Sequence, residues 1–190
     1  MAESLTNKQK QSLLRVARRV VESAVRGEPI GVFESEDELF NEKRGCFVTI
    51  HNQGQLRGCI GQFEPDQALI KTVRDMAAAA TRDSRFVYHP ITVGELSEID
   101  IEISVLSRLE LTDDPAGLTA GEHGIYIKQG QMSGCYLPQV ATETGWSVEE
   151  LLSHCCSDKA GLAGDAWKSE DTQVFLFTAD VFSEKEILEE

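Results

Sequence analysis

The sequence predicts an α+β fold of two lobes, each built from a β-hairpin, a helix and a returning strand, with a mainly antiparallel sheet and flanking helices. Three patterns carry that expectation. Ile99, Ile101, Ile103 and Val105 alternate with Asp100, Glu102 and Ser104, which marks a strand with one buried face. Gly54-Gln55-Leu56-Arg57-Gly58-Cys59 recurs as Gly130-Gln131-Met132-Ser133-Gly134-Cys135, 76 positions later. Apolar residues at 3/4 spacing occupy the segments before and after the first hairpin. Strands at 101–105 and 174–178 follow the two hairpins at nearly the same offset, so an internal duplication is expected. Chance recurrence of a hairpin motif is the alternative, and the shared order of elements favours duplication. The expected organisation is one domain over 1–190, with pseudo-repeated lobes at roughly 44–110 and 121–182.

In chain order, Thr6 or Asn7 caps a helix whose Leu13, Leu14, Ala17, Val20, Val21 and Ala24 form one face, and Gly27 and Pro29 end it. The acidic stretch from Glu34 to Lys43 reads as a short surface helix or loop. Cys46-Phe47-Val48-Thr49-Ile50-His51 and Leu56-Arg57-Gly58-Cys59-Ile60-Gly61-Gln62-Phe63 flank turn chemistry at 52–55 and form a hairpin. Asp66 is placed to cap a helix with Leu69, Ile70, Val73, Met76, Ala77 and Ala80 on one face. A second hairpin is expected at 124–137, then a helical region from Pro138 to Ser157 broken near Gly145 and Trp146, and a last strand over 173–178. Trp146 and Trp167 read as core-edge aromatics, and the charged stretch from Glu184 to Glu190 as a fraying tail.

Composition narrows the function classes. Eighteen Lys and Arg against 32 Asp and Glu leave a net charge of −14, which repels phosphate backbones and anionic headgroups and disfavours nucleic-acid binding. The start has no apolar signal-peptide core, and no segment approaches the ~20 apolar residues of a membrane helix, so a cytoplasmic location is expected. Five cysteines without a C-x-x-C pair fit reduced thiols. Adjacent ligands diverge, so His154-Cys155-Cys156 is expected to hold no structural zinc; one of its cysteines should be buried and one semi-exposed. No phosphate-loop, dinucleotide or nucleophile-elbow pattern occurs, and no cofactor is predicted.

The chemistry concentrates in Leu56-Arg57-Gly58-Cys59-Ile60-Gly61, where glycines in a strand mark a close approach to the backbone. Strict alternation puts Arg57, Cys59 and Gly61 on one face, with Arg57 and Cys59 about 7 Å apart at Cα. Cys59 is therefore a candidate nucleophile and Arg57 its electrostatic partner. In the plainer reading Cys59 is a small buried hydrophobe and Arg57 pairs with an acid such as Glu102. A catalytic thiol needs a base; His51 lies on the partner strand, whereas His123 precedes the second hairpin and is the preferred candidate, delivered by its loop to a groove between the lobes. Glu102 is the alternative acid or base, and Gln139 presents an amide to a ligand.

At this hexapeptide the sequence resembles the AMMECR-type domain, named for the Alport syndrome and elliptocytosis chromosomal-region protein and also called AmmeMemoRadiSam system protein A. Further matches are Arg44-Gly45-Cys46-Phe47-Val48-Thr49, Arg85-Phe86, Ile101-Glu102-Ile103-Ser104-Val105-Leu106, His123-Gly124-Ile125, Leu137-Pro138-Gln139-Val140-Ala141, Gly145-Trp146, Lys159-Ala160-Gly161-Leu162 and Trp167, which cover nearly the whole chain. Cys135-Tyr136 stands where an aliphatic pair is expected, and the cysteines before Lys159 are spaced differently, which weakens any role for Cys135, Cys155 or Cys156. The resemblance implies a two-lobed α+β fold and a functional association with Memo-like and radical SAM proteins. The resemblance supplies no reaction; the Arg57/Cys59 face beside two glycines leads to the expectation of an enzyme acting on a small anionic or carbonyl substrate, with Cys59, Arg57, Glu102 and His123 as catalytic candidates. Arg44, Gly58, Gly61 and Gln139 are candidate ligand contacts. The alternative is a non-catalytic module that binds a small ligand or partner protein, with Cys59 structural.

Overall fold

The structure, a computed structural model, describes residues 4–188. It is α+β, with two four-stranded sheets, and divides into two compact units. One comprises the described chain up to Leu106 together with Asp180 onward; the other runs from Ser107 to Ala179.

The first unit opens with α1 (Asn7–Arg26), where Thr6 and Gln9 form a capping box and Gly27 closes the helix at φ 70°. Leu13, Leu14, Ala17, Val20 and Val21 are buried, as the 3/4 spacing requires. The acidic stretch contributes only the four-residue α2 (Glu38–Asn41), anchored by buried Phe40. The sheet order is β2-β1-β3-β8, built from β1 (Cys46–Asn52), β2 (Gln55–Gln62), β3 (Ile99–Leu106) and β8 (Ala179–Ser183). Cys46, Val48 and Ile50 on β1 and Ile101, Ile103 and Val105 on β3 share one parity and are buried in a core with α1 and with α3 (Leu69–Ala80).

Two expectations fail here for identifiable reasons. Asp66 caps nothing: α3 starts three residues later with Ala68 as its N-cap and no side-chain cap, because the carbonyl of Glu42 already accepts from the Leu69 N–H at 2.8 Å. The C-terminal stretch does not fray over its described part. Residues 184–188 form α6 (Glu184–Leu188), and nearly buried Glu184 pairs with Arg18 and accepts from the Ile101 N–H at 3.0 Å. Glu189 and Glu190 lie outside the described residues.

The second unit has sheet order β4-β7-β5-β6, from β4 (Glu110–Leu111), β5 (Gly124–Gln129), β6 (Met132–Tyr136) and β7 (Gln173–Phe177). In both units the first strand of a hairpin is central, with its hairpin partner on one side and a later strand antiparallel on the other. The recurring glycines play matching parts. Gly54 and Gly130 take positive φ in the turns, while Gly58 and Gly134 lie against the backbones of Ala80 and Ala160. The helical region splits at Gly145 (φ 68°) into α4 (Pro138–Thr144) and α5 (Val148–His154), which runs into a π-helical turn over Cys155–Ala160. Cys155 and Cys156 are both fully buried, not one of each kind. The π turn packs under β5 and β6; the Cys155 thiol lies near Cys135 of β6, and that of Cys156 near the main chain of Trp167.

Candidate functional site

The residues of the first sheet that could carry chemistry meet through strand register. Thr49 stands opposite Cys59 on β2 and opposite Glu102 on β3, so the three side chains form a row on the face away from α1 and α3. Neighbouring Cα atoms in such a row are about 4.5–5.5 Å apart. The Thr49 hydroxyl donates to Cys59 Sγ at 3.3 Å. His51 follows two residues along β1 on the same face, opposite Asp100. Burial pushes the Glu102 carboxyl up; the charge of His51 opposes this, and those of Glu186 and Asp100 add to it.

Cys59 also lies on an edge strand, and the outward side of its peptide unit is closed by two charged residues. Asp83 Oδ2 accepts from the Cys59 N–H at 3.0 Å, and Arg85 Nη2 donates to the Cys59 carbonyl at 3.0 Å. Asp83 is almost fully buried at 4% exposure and also takes Arg85 in a fork, Nε to Oδ1 at 3.0 Å and Nη2 to Oδ2 at 2.5 Å. The Arg85 guanidinium, helped by the N–H groups of Cys59 and Arg85, holds the Asp83 carboxyl well below the usual carboxylate range. In return Arg85 is pushed up, chiefly by Asp83 and further by Cys59. This arrangement gives the thiol a cation and caps the sheet edge against further strand pairing.

Arg57, the partner expected for Cys59, is used elsewhere. The register slips between Ile50 and His51, leaving Arg57 as an extra residue on β2. A bulge re-aims the side chain that strict alternation would place beside Cys59. Arg57 Nε bonds Glu95 Oε1 at 2.9 Å, its Nη2 reaches Glu95 Oε2 and the Pro90 carbonyl at 3.3 Å, and Asn52 shares Glu95 Oε1 at 3.2 Å. Asn52 has the strand parity of Val48 and Ile50, the helix-covered side. The salt bridge of the plainer reading therefore exists, but its acid is Glu95 and not Glu102.

Arg57 lowers the Glu95 carboxyl to about 2 from an ordinary 4.5, with burial opposing. Its folded value lies below its unfolded one, so the pair stabilises fully above about pH 5 and the contribution is lost as pH falls toward 2. The stability difference between wild type and Glu95→Gln, from urea unfolding, should be largest near pH 6 and shrink steadily below pH 5. A difference independent of pH would contradict the pairing.

The other candidates fall as follows. Arg44 is engaged by Glu42 at 2.8 Å. The close approaches that Gly58 and Gly61 permit are made by the protein itself: a Cβ would lie 2.1 Å from the Ala80 carbonyl oxygen at the first and 2.1 Å from the Phe47 ring at the second. His123 and Gln139 belong to the second unit. His123 Nδ1 accepts from the Thr119 N–H at 3.0 Å, while Gln139 lies in the first turn of α4 and its carbonyl accepts from the Thr142 hydroxyl at 2.8 Å. His51, weighed below His123 in the sequence, is the histidine that the first sheet places on the Cys59 face. Nothing in the sequence marks Asp83 or Arg85 as functional beyond the Arg85-Phe86 family match. Among the described residues no group of three or more His, Cys, Asp or Glu is placed to hold a metal ion, and no helix is long and apolar enough to cross a membrane. Burial pushes up the thiols of Cys46, Cys155 and Cys156, and that of Cys135 to about 11.

The AMMECR1 family model matches residues 14–182, which includes the second sheet, all but the last residue of the first, and every residue of the Cys59 face. The chain belongs to the AMMECR1 family. It is 43% identical over 182 residues to Protein MJ0810 of Methanocaldococcus jannaschii, covering 91% of this chain and 89% of that one. It is 42% identical to Protein TK0174 of Thermococcus kodakarensis, with 91% and 89% covered. Among solved structures, the crystal structure of uncharacterized protein PH0010 from Pyrococcus horikoshii is similar with a TM-score of 0.79 at 35% identity, covering 93% of this chain and 92% of that one.

Proposed function

We propose that the Cys59 face is the reactive centre of a thiol-dependent enzyme acting on a small carbonyl-bearing, anionic substrate in a reducing, cytoplasmic setting. The observation that carries this reading is the Thr49 hydroxyl directed at Cys59 Sγ at 3.3 Å, on a face shared with Glu102 and His51. The Thr49 hydroxyl donates to the sulfur, and the Arg85 guanidinium is bonded to the carbonyl of the same residue. The thiolate adds to the substrate's carbonyl carbon; the C–S bond forms, the carbonyl π pair moves to oxygen, and that oxygen takes a proton from Glu102 or from protonated His51. Arg85, whose side chain is 56% exposed, has donor capacity left to hold the substrate's anionic group. The association with Memo-like and radical SAM proteins implied by the family resemblance belongs to the same proposal.

Two alkylating reagents of nearly equal size and different charge test it: iodoacetate, which is anionic, and iodoacetamide, which is neutral. The long-range field of a chain with net charge −14 disfavours the anion. A local preference for iodoacetate at Cys59, mapped by peptide mass and normalised to the urea-unfolded chain, is therefore the expected result, and Arg85→Gln should remove it. Equal normalised rates, unchanged by Arg85→Gln, would favour the non-catalytic alternative.

A further inference from the structure

Beside Cys59 the sheet carries an aromatic ring that the thiol chemistry does not use. Phe47 on β1 stands opposite Gly61 on β2 and shares the parity of Thr49 and His51, so it lies on the face away from α1 and α3. A Cβ added to Gly61 would sit 2.1 Å from Phe47 Cδ1, 2.3 Å from Cγ and 2.6 Å from Cε1. An edge-on approach to Cδ1 would hold its two neighbours clearly farther off, so these distances place the ring face-down across the Gly61 main chain. Glycine at 61 is what lets the ring lie flat.

The ring does not belong to the core. The core under this sheet takes Cys46, Val48 and Ile50 from β1, and Phe47 stays half-buried outside it. Phe63 meets the ring at 5.0 Å between centroids with the planes 69° apart. Phe63 follows Gly61 by two residues as Cys59 precedes it by two, so that contact comes from the side away from the thiol. Cys59 and Gly61 are about 7 Å apart at Cα, which leaves a flat apolar surface next to the sulfur along the strand. Across the strand edge lies Arg85, bonded to the Cys59 carbonyl. The thiol thus has an aromatic plane in one direction and a cation in another.

We propose that Phe47 is a specificity residue, its ring seating a flat apolar group that the substrate carries on the carbonyl attacked by Cys59. The inference rests on the reading of Cys59 as a nucleophile and narrows its substrate class: an aryl or similarly planar group on one side of the carbonyl and the anionic group on the other. Stacking on the Phe47 ring and pairing with Arg85 would hold the carbonyl between them, over the sulfur. The plainer role for such a ring is to shield the main chain of an edge-strand glycine, which predicts no effect on what reaches Cys59.

The test is alkylation of the full chain by iodoacetamide, its N-phenyl derivative and its N-cyclohexyl derivative, with each rate at Cys59 mapped by peptide mass and normalised to the urea-unfolded chain. The N-phenyl reagent should exceed iodoacetamide by about fivefold, the scale of one aromatic stacking contact, and should also exceed the N-cyclohexyl reagent. Phe47→Leu, which keeps an apolar cover over Gly61, should remove the preference, and Phe47→Tyr should keep it. Equal normalised rates for the three reagents, an equal gain from phenyl and cyclohexyl, or a phenyl preference that survives Phe47→Leu overturns the proposal. The wild-type comparison with Phe47→Tyr decides the matter even if Phe47→Leu fails to fold. Native Cys59 reacting with iodoacetamide no faster than in the unfolded chain would instead overturn the nucleophile reading, whereas the ratio of reagents at the same sulfur tests the ring alone.

Discussion

Gly58→Ala is expected to cost about 3 kcal/mol, the upper end of what overpacking a core usually costs. An added Cβ would meet the Ala80 carbonyl oxygen at 2.1 Å and its carbonyl carbon at 3.0 Å. Both are backbone atoms at the end of α3, so no rotamer change relieves the clash, and either the helix end or the β2 edge must shift. For a chain of this length that corresponds to a fall in Tm of roughly 6–12 °C. Gly54→Ala is the control: its Cβ would enter open space, and only its left-handed φ of 79° opposes the change, for a cost of about 1 kcal/mol. Calorimetry of the two variants should separate them clearly. A Gly58→Ala protein as stable as wild type would mean that the packing of α3 on β2 is misread.

Asp83→Ala should cost about as much, on the order of 3 kcal/mol at neutral pH, for a different reason. The carboxylate accepts from the Cys59 and Arg85 N–H groups and from the Arg85 guanidinium, all with 4% of the residue exposed. Removing it strands two backbone donors and leaves Arg85 without its fork. Because Arg85 holds the Asp83 carboxyl below the ordinary range, wild type keeps this contribution above the unfolded carboxylate pKa and loses it only as the solution becomes strongly acid. Urea unfolding at pH 7 should therefore show the full loss, and the gap between wild type and variant should close only in strong acid. A loss below about 0.5 kcal/mol at pH 7, the level of an ordinary surface change, would contradict the account.

How far the sequence carried these conclusions depends on range. Local patterns held: the Thr6 cap, the 3/4 face of α1, the period-two strand at 99–106 and the two hairpins all rest on neighbours in the chain. The placing of Glu102 on the face away from the isoleucines also held, and register then added what alternation cannot supply, namely that Thr49 joins Glu102 to Cys59. Arg57 was misplaced because one extra residue in β2 reverses the alternation, and nothing local announces the bulge. Asp83 and Arg85 were missed because their partner is a main-chain unit 24 residues earlier, whose polar groups carry no residue-specific signal. Residues 184–188 looked like a solvated run of charge, yet Glu184 finds Arg18 across 166 residues of chain.

The central claim is that Cys59 is held as a nucleophile and not as filler. Its most direct measurement is the rate of Cys59 alkylation by iodoacetamide at pH 7, followed by peptide mass, in the native chain and in the same chain unfolded in urea. Native Cys59 should react before the other four cysteines and faster than it does unfolded, and Thr49→Val and Arg85→Gln should each slow it by about tenfold, the scale of one lost hydrogen bond. Native Cys59 reacting more slowly than in the unfolded chain, with neither substitution altering its rate, would contradict that claim.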